Sequence, residues 1–372
     1  VTVGAARIAC TAPLTAALSR RRALPPRLYL VAALLGLALV VLLTLIFQLT
    51  PDAPPAYLPR PNRGTETMKV TVITAAYNRA DLIEETIESV LGQDYSDLEY
   101  IVLDDGSTDA TLEVIKKYEG RIAWDSHPNM GETATVNKGF EMATGEIIAV
   151  VSSDDPLLPG AVKAAVSCFN EHPEVLVAYP DWNMIDERGE IIRHYRVPEY
   201  DYAHMVGAHH CLPGPGTFFR RSVVERLGGR DPEFRYVGDY DFWLRAGLLG
   251  PFKRLPRTLA TFRRHEGGAT QRERGGRMAR EHIRVIARLY ERRDLPAEVR
   301  RLRRAAFASA YRAAGDASTE ARARRSNFRR AVSYGPLKFL ADPRDRYVLR
   351  EAFGRFYALP ERVFNSLKRR LT

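Results

Sequence analysis

The chain has 372 residues, 45% hydrophobic and 27% charged, with a formal net charge of +10. That balance excludes disorder throughout, and the length allows about two or three domains. Three cysteines (Cys10, Cys168 and Cys211), no two in a C-x-x-C spacing, argue against a disulfide framework, a thiolate zinc site or a dithiol redox centre, and point to a reducing compartment for the catalytic region.

The charge is segregated. Residues 1–67 hold 7 Lys/Arg and 2 Asp/Glu, residues 68–275 hold 23 and 33, and residues 276–372 hold 25 and 10. An acidic centre therefore lies between two basic ends, and the overall charge describes neither.

In chain order, residues 1–27 form a basic segment with Arg20, Arg21, Arg22 and Arg27 near its end. Leu28–Leu49 carries no charge and is apolar except for Tyr29, Thr44 and Gln48. About 20 helical residues at a rise of about 1.5 Å cross a hydrocarbon core of about 30 Å. Residues 28–50 are therefore expected to be a transmembrane helix. The run is longer than the apolar region of a cleaved signal peptide, about 7–15 residues. The arginines ahead of it favour a cytoplasmic N-terminus and would put the large domain across the membrane, and the orientation stays open. Residues 51–67 contain five prolines and read as an extended linker. Met68 stands directly before the first strand pattern. The localisation expected is single-pass membrane, or cytoplasmic and membrane-associated if translation starts at Met68.

From Lys69 the pattern alternates between short apolar strands and amphipathic helices. Strands are expected at Val70–Thr74, Tyr100–Leu103, Arg121–Trp124, Ile147–Val151 and Val175–Tyr179. Helices are expected at Asp81–Leu91, Ala110–Tyr118, Thr133–Ala143 and Pro159–Asn170. This order predicts right-handed βαβ units and an α/β domain with a mainly parallel sheet, over residues 68–275. Ligands of such sheets bind beyond the carboxyl ends of the strands, so the loops after Thr74, Leu103, Trp124 and Val151 are expected to line one crevice. Residues 276–372 read as a basic helical region with turns at Leu295–Pro296, Gly315–Asp316 and Gly335–Pro336. Arg277, Arg280, Arg284 and Arg288 form a stripe along one of its helices.

The strand-end loops read Ala75-Ala76-Tyr77-Asn78-Arg79, Asp104-Asp105-Gly106-Ser107-Thr108-Asp109, Asn129-Met130-Gly131 and Ser152-Ser153-Asp154-Asp155. Asp, Asn, Gly and Ser also cap helices and build turns, and Asn78 and Asp109 fit that plainer role. Adjacent carboxylates repel, however, and a divalent cation is one reason to hold Asp154 beside Asp155; oxygen ligands of this kind suit Mg or Mn.

The run from VTVITAAYNRADLIEETIESVLGQDY through DLEYIVLDDGSTDAT and NMGETATVNKGFEMATGEIIAVVSSDD resembles the family 2 glycosyltransferases, whose catalytic domain has the GT-A, Rossmann-like nucleotide-sugar-binding fold. The likeness continues more loosely through PGTFFRRSVVERLGGRDPEF, VGDYDFWLRAG and FRRHEGGAT. It implies an inverting transferase that moves a sugar from a nucleoside-diphosphate donor, a UDP-sugar first among them, to a hydroxyl of a glycan or lipid-linked acceptor. It implies that Tyr77 and Asp105 hold the base, that Asp154 binds the divalent metal, and that Asp155 shapes the same loop. It further implies that Asp239 is the catalytic base, that Asp241, Trp243 and Arg245 belong to the supporting helix, and that His265 lies near the diphosphate. Asn78, Asn129, Gly131 and Asn137 complete the donor-binding set. The chain departs from the family's pattern at Ser152 and Gly238, where relatives often carry acids, and at Val136, where many carry arginine.

Plainer readings stand beside these. Asp239 could cap the Tyr240–Gly247 helix, His265 could be a surface histidine, and Trp243 reads as core. His209 and His210, adjacent on a strand, would face opposite sides and hold no metal. A nicotinamide dehydrogenase would need G-x-G-x-x-G after the first strand, and a P-loop enzyme G-x-x-x-x-G-K-[ST]; neither is present. A nucleotidyltransferase on the same fold, or a membrane-surface binding protein with a degenerate transferase domain, are the alternatives. The basic helical end fits an anionic membrane or a face packed on the acidic domain better than nucleic acid, for which no binding module is apparent.

Overall fold

β1 (Val70–Ala76) lies at the heart of the sheet. Val70, Val72 and Ala76 point to one face and Ile73 to the other, all buried, so both faces must be covered. The computed structural model describes residues 67–265 and 275–354. In it α1 (Ile83–Leu91) leads to β2 (Leu98–Asp104), α2 (Thr111–Lys116) to β3 (Ala123–Ser126), and α3 (Glu132–Met142) to β4 (Ile147–Val150). α4 (Ala161–Glu171) then leads to β5 (Val177–Ile185). α1, α2 and α4 cover one face through Ile87, Ile115 and Phe169; α3 covers the other through Val136 and Phe140. Gly139 lets α3 settle on β1: a Cβ there would stand 2.5 Å from Ile73 Cγ2.

Beyond β5 come β6 (Ile191–Tyr195), α5 (Tyr202–Ala208), β7 (Phe218–Arg220), α6 (Arg221–Leu227), α7 (Gly238–Gly247) and β8 (Phe252–Arg263). The eight-stranded sheet is ordered β3-β2-β1-β4-β7-β5-β6, with β8 parallel to β5. β1 to β4 are mutually parallel, as expected. The expectation of a mainly parallel sheet fails past β4, where β7 runs antiparallel to β4 and β5, and β6 antiparallel to β5. The cause is local. β5 enters a tight turn, with Asp186 N donating to Glu190 O and Gly189 at φ +86°, and so short a connection can only make an antiparallel pair. His209 is not on a strand either. It ends α5 in the left-handed conformation, at φ +54°.

The helical region comprises α8 (Gly276–Glu291), α9 (Ala297–Arg301), α10 (Arg303–Ala317), α11 (Ala321–Tyr334), α12 (Pro336–Ala341) and α13 (Arg346–Phe353). Breaks occur near Leu295–Pro296 and Gly335–Pro336, as expected. The expected turn at Gly315–Asp316 lies inside α10 instead. Gly315 is there for packing, since a Cβ would stand 2.4 Å from the Phe328 ring of α11. Phe307, Ala310 and Phe328 share one buried cluster with Phe219, Phe242 and Trp243, so these helices close the sheet's second face. The α8 arginines are largely paired: Arg284 and Arg288 meet Glu233, Arg288 also meets Asp231, and Arg277 meets Glu281.

The basic segment, the transmembrane helix expected at 28–50 and nearly all of the linker lie outside the described residues. Among the described residues, no helix is long and apolar enough to cross a membrane.

Candidate active site

Because β1 to β4 are parallel, their carboxyl ends share one edge, and hydrogen bonds sew the loops there together. Asn78 N donates to Ser107 Oγ (2.9 Å), and Asn78 Oδ1 accepts from Thr108 N (2.8 Å). Asn78 adopts φ +52°, a conformation asparagine tolerates better than most residues. Arg79 N donates to Thr111 Oγ1 (2.7 Å), so the first two loops are joined twice over. The second and third loops are joined by Asp105, which is 3% exposed. Its Oδ1 accepts from Met130 N (2.7 Å), and its Oδ2 from Gly131 N (3.0 Å) and Asn129 Nδ2 (3.2 Å). Gly106, at φ +72°, allows this closeness: a Cβ would stand 2.6 Å from Asn129 N.

After β4 the two neighbouring carboxylates part company. Asp155 turns inward and accepts from Arg263 N at 2.7 Å. Burial, and next the charge of Asp154, push its carboxyl up to about 8. Arg263, itself buried, donates to Asp154 O (3.1 Å), to the carbonyls of Asp186 and Glu187, and to Glu85. This knot fixes the end of β8, which carries His265. The Asp154 side chain faces outward, 15% exposed. Its Oδ2 meets His265 Nε2 at 2.9 Å and Arg79 Nε at 3.4 Å, while Oδ1 has no partner among the described residues.

A divalent ion fits this carboxylate. Asp154 offers an open oxygen and His265 a neighbouring nitrogen. No group of three or more His, Cys, Asp or Glu that could cage a metal occurs among the described residues. Mg and Mn accept so sparse a protein shell when phosphate oxygens and water complete it.

Asp239 stands in the first turn of α7, exposed, with Oδ1 accepting from Tyr240 N at 2.7 Å. Its charge also reaches Cys211, whose buried thiol is pushed well up by burial first and by Asp239 next. Asp241 turns the other way, 3% exposed and bonded to Arg245 Nε at 2.7 Å. Burial raises its carboxyl, against the pull of Arg245. The start of α7 is fastened to the start of α3: Thr133 Oγ1 donates to Phe234 O (3.2 Å), and a Cβ on Gly238 would lie 3.5 Å from Thr133 Oγ1. Since Asp105 holds Gly131 just ahead of α3, the start of α7 is tied through Thr133 to the third strand-end loop.

Several of the residues singled out from sequence have structural duties in these loops. Tyr77 (45% exposed) and Met130 (45% exposed) stand open in the first and third loops. Asn78 and Asn129 spend their side chains joining loops. Asn137 is a correction to the donor-binding set: its Nδ2 donates to Arg230 O and its Oδ1 accepts from Arg230 N, both at 2.8 Å, so the amide clamps the turn after α6. His265 is no surface histidine, with 10% of its side chain exposed. Sequence reasoning missed Arg79, Arg263 and Glu281. Arg263 had a readable signal, lying two residues before His265, where strand residues share a face. Glu281 had none. Its Oε2 accepts from Arg235 N (3.0 Å) and Tyr236 N (2.7 Å), bracing the segment before Asp239 from a helix 40 residues later in sequence.

Comparison with known proteins agrees with this architecture. Residues 71–228 match the family model described as Glycosyl transferase family 2. An uncharacterized glycosyltransferase of Nostoc sp. is 31% identical over 211 residues, covering 53% of this chain and 65% of that protein. Chondroitin synthase of Pasteurella multocida is 31% identical over 193 residues, covering 50% of this chain and 20% of the synthase. The chain therefore spans less than two thirds of the length of either relative. Among solved structures, S. aureus TarS 1–349 in complex with UDP-GlcNAc aligns with a TM-score of 0.58 at 18% identity, over 77% of this chain and 88% of that one. Mannosyltransferase PcManGT from Pyrobaculum calidifontis, in complex with GDP-Man and Mn2+, aligns with a TM-score of 0.50 at 19% identity, over 89% and 97%. These structural likenesses establish the GT-A-like fold, and the match of residues 71–228 together with the relatives supports a family 2 glycosyltransferase.

Proposed function

We propose that this protein transfers a sugar from a nucleoside-diphosphate donor to an acceptor hydroxyl, with inversion at the anomeric carbon. What supports the reading is Asp154, partly exposed after β4 beside His265 and Arg79, together with Asp239, exposed in the first turn of α7. The two carboxylates suit opposed tasks.

Asp154, with His265 behind it, would hold Mg or Mn, which when bound supplies positive charge to a diphosphate leaving group. Arg79, 3.4 Å from Asp154, adds a fixed cation beside the same position. Tyr77 offers an open aromatic face for the nucleotide base, and the Asp105-held loop of Asn129 and Gly131 frames the other side. Asp239 takes the proton from the acceptor hydroxyl as it attacks, and one displacement inverts the centre. The acceptor class is a glycan or lipid-linked saccharide, and a uridine donor is the first to try because TarS is solved with UDP-GlcNAc.

Incubation with nucleotide sugars, Mn and a saccharide acceptor tests the proposal. Release of nucleoside diphosphate together with a lengthened acceptor supports it. Release of pyrophosphate would favour nucleotidyl transfer instead.

A further inference from the structure

Positive charge in the helical region has two fates. Along α8 it is spent on the catalytic domain, where Arg284 and Arg288 meet Glu233 and Asp231. Further on it is not. Residues 300–330 hold ten arginines and only two acids, Asp316 and Glu320. Arg322, Arg325, Arg329 and Arg330 are exposed at i, i+3, i+7 and i+8 of α11, on the side away from its buried Phe328 and Ala331. α10 runs antiparallel beside it, and Arg304 reaches the Ser333 carbonyl at 3.4 Å. That contact continues the row to exposed Arg300, Arg301 and Arg303. Arg300, Arg301, Arg322 and Arg325 have no ion pair or side-chain hydrogen bond among the described residues. Leu337 follows in α12 at 56% exposure, the one exposed large hydrophobic side chain among described residues 275–354.

We propose that this face of α10, α11 and α12 docks on an anionic lipid bilayer. The inference goes beyond sugar transfer and does not depend on it. Clustered arginines gain from the negative surface potential of anionic lipids, and an apolar side chain at the end of the row has a place to insert. Nucleic acid fits less well, because unpaired bases call for open aromatic rings. Here Tyr334 is stacked against Phe307 (5.3 Å between centroids) and Tyr311 (5.5 Å).

The test is flotation of the full chain with vesicles of phosphatidylcholine alone and of phosphatidylcholine with phosphatidylglycerol, at low and raised salt. The difference between the two vesicles removes any contribution of the apolar run. The expected result is a preference for the anionic vesicles that weakens with salt. Arg322→Glu with Arg325→Glu, which break no internal contact, should reduce the preference at least about tenfold, at roughly fivefold for each arginine near the surface. Leu337→Ser should weaken anionic binding while keeping its salt dependence. Equal binding to both vesicles, an unchanged preference in the Arg322/Arg325 variant, or tighter binding to duplex DNA than to anionic vesicles at the same salt would overturn the proposal.

Discussion

His265 Nε2 stands 2.9 Å from Asp154 Oδ2, although 111 residues separate them in sequence. The contact fixes which oxygen of Asp154 is engaged and which is open. Arg263 holds the strand end that delivers the imidazole, so a buried knot two residues away sets the position of an outward-facing group. Outer partners of this kind commonly change metal affinity or activity by about 10–100-fold when removed. His265→Ala should therefore lower turnover and weaken the dependence on Mn by about that factor. Urea unfolding should move by no more than about 1 kcal/mol, the net worth of a typical hydrogen bond. A metal titration curve that coincides with the wild type would remove His265 from the site.

Glu281 belongs to α8 yet braces the approach to Asp239 by accepting from Arg235 N and Tyr236 N. Losing the carboxylate removes two charge-assisted hydrogen bonds, at about 1.5–3 kcal/mol each. Glu281→Ala should reduce kcat while leaving the affinity for nucleoside diphosphate unchanged, because the proposed base site lies on other loops. Glu281→Gln keeps an acceptor oxygen and should restore part of the rate. Equal losses in kcat and in nucleotide affinity would mean that Glu281 merely supports the fold.

A second link between the helices and the catalytic domain responds to acid. His209 Nε2 lies 2.9 Å from His282 Nδ1, and the His209 ring packs on Tyr240 with centroids 4.7 Å apart. Burial is the main reason both imidazoles resist protonation: His282 is pulled down to about 4, and His209 well below its ordinary value. Arg312 opposes protonation of both, and Lys338 that of His209, while Glu281 favours it in His282. The unfolded chain takes up these protons near pH 6.5 and the native chain only at lower pH. Stability should therefore fall on acidification from about 6.5 towards 4, by at most about 1.4 kcal/mol per pH unit for each imidazole. Urea unfolding at about pH 7 and about pH 5 checks this, and His282→Gln should shrink the difference between them. Parallel profiles for variant and wild type would show that the pair does not titrate with folding.

Much of this was legible in the sequence. Period and length gave β1 to β4 and their helices to within a few residues, because β1, β2 and β4 are short buried runs rich in Val, Ile and Leu between polar turns. The strand-end loops were legible because parallel strands leave nowhere else for Asp105, Gly131 and Asp154 to go. Past β5 the reading of strand pairing failed. The tight turn at Asp186–Glu190 and the three-residue β7 have no periodicity of their own, and the pairing of β7 is set by contacts distant in sequence. Gly315 looked like a turn because its packing reason, the Phe328 ring, lies on another helix. Asn137 looked like a ligand for the same reason, since Arg230 is its partner. Glu281 could not be found at all, for an acid in an arginine-rich helix resembles any solvated charge.

The central claim is that Asp154 and Asp239 serve one donor with different tasks, and comparing binding with transfer in two variants tests it most directly. Nucleoside diphosphate binding by calorimetry, with and without Mn, would be measured alongside sugar transfer. Asp239→Asn should bind nucleotide and Mn as the wild type does and lose transfer by about 100-fold or more, the usual worth of a general base. Asp154→Ala should lose the Mn-dependent part of nucleotide binding as well as transfer. Wild-type transfer by Asp239→Asn, or undiminished Mn-dependent binding by Asp154→Ala, would contradict the account.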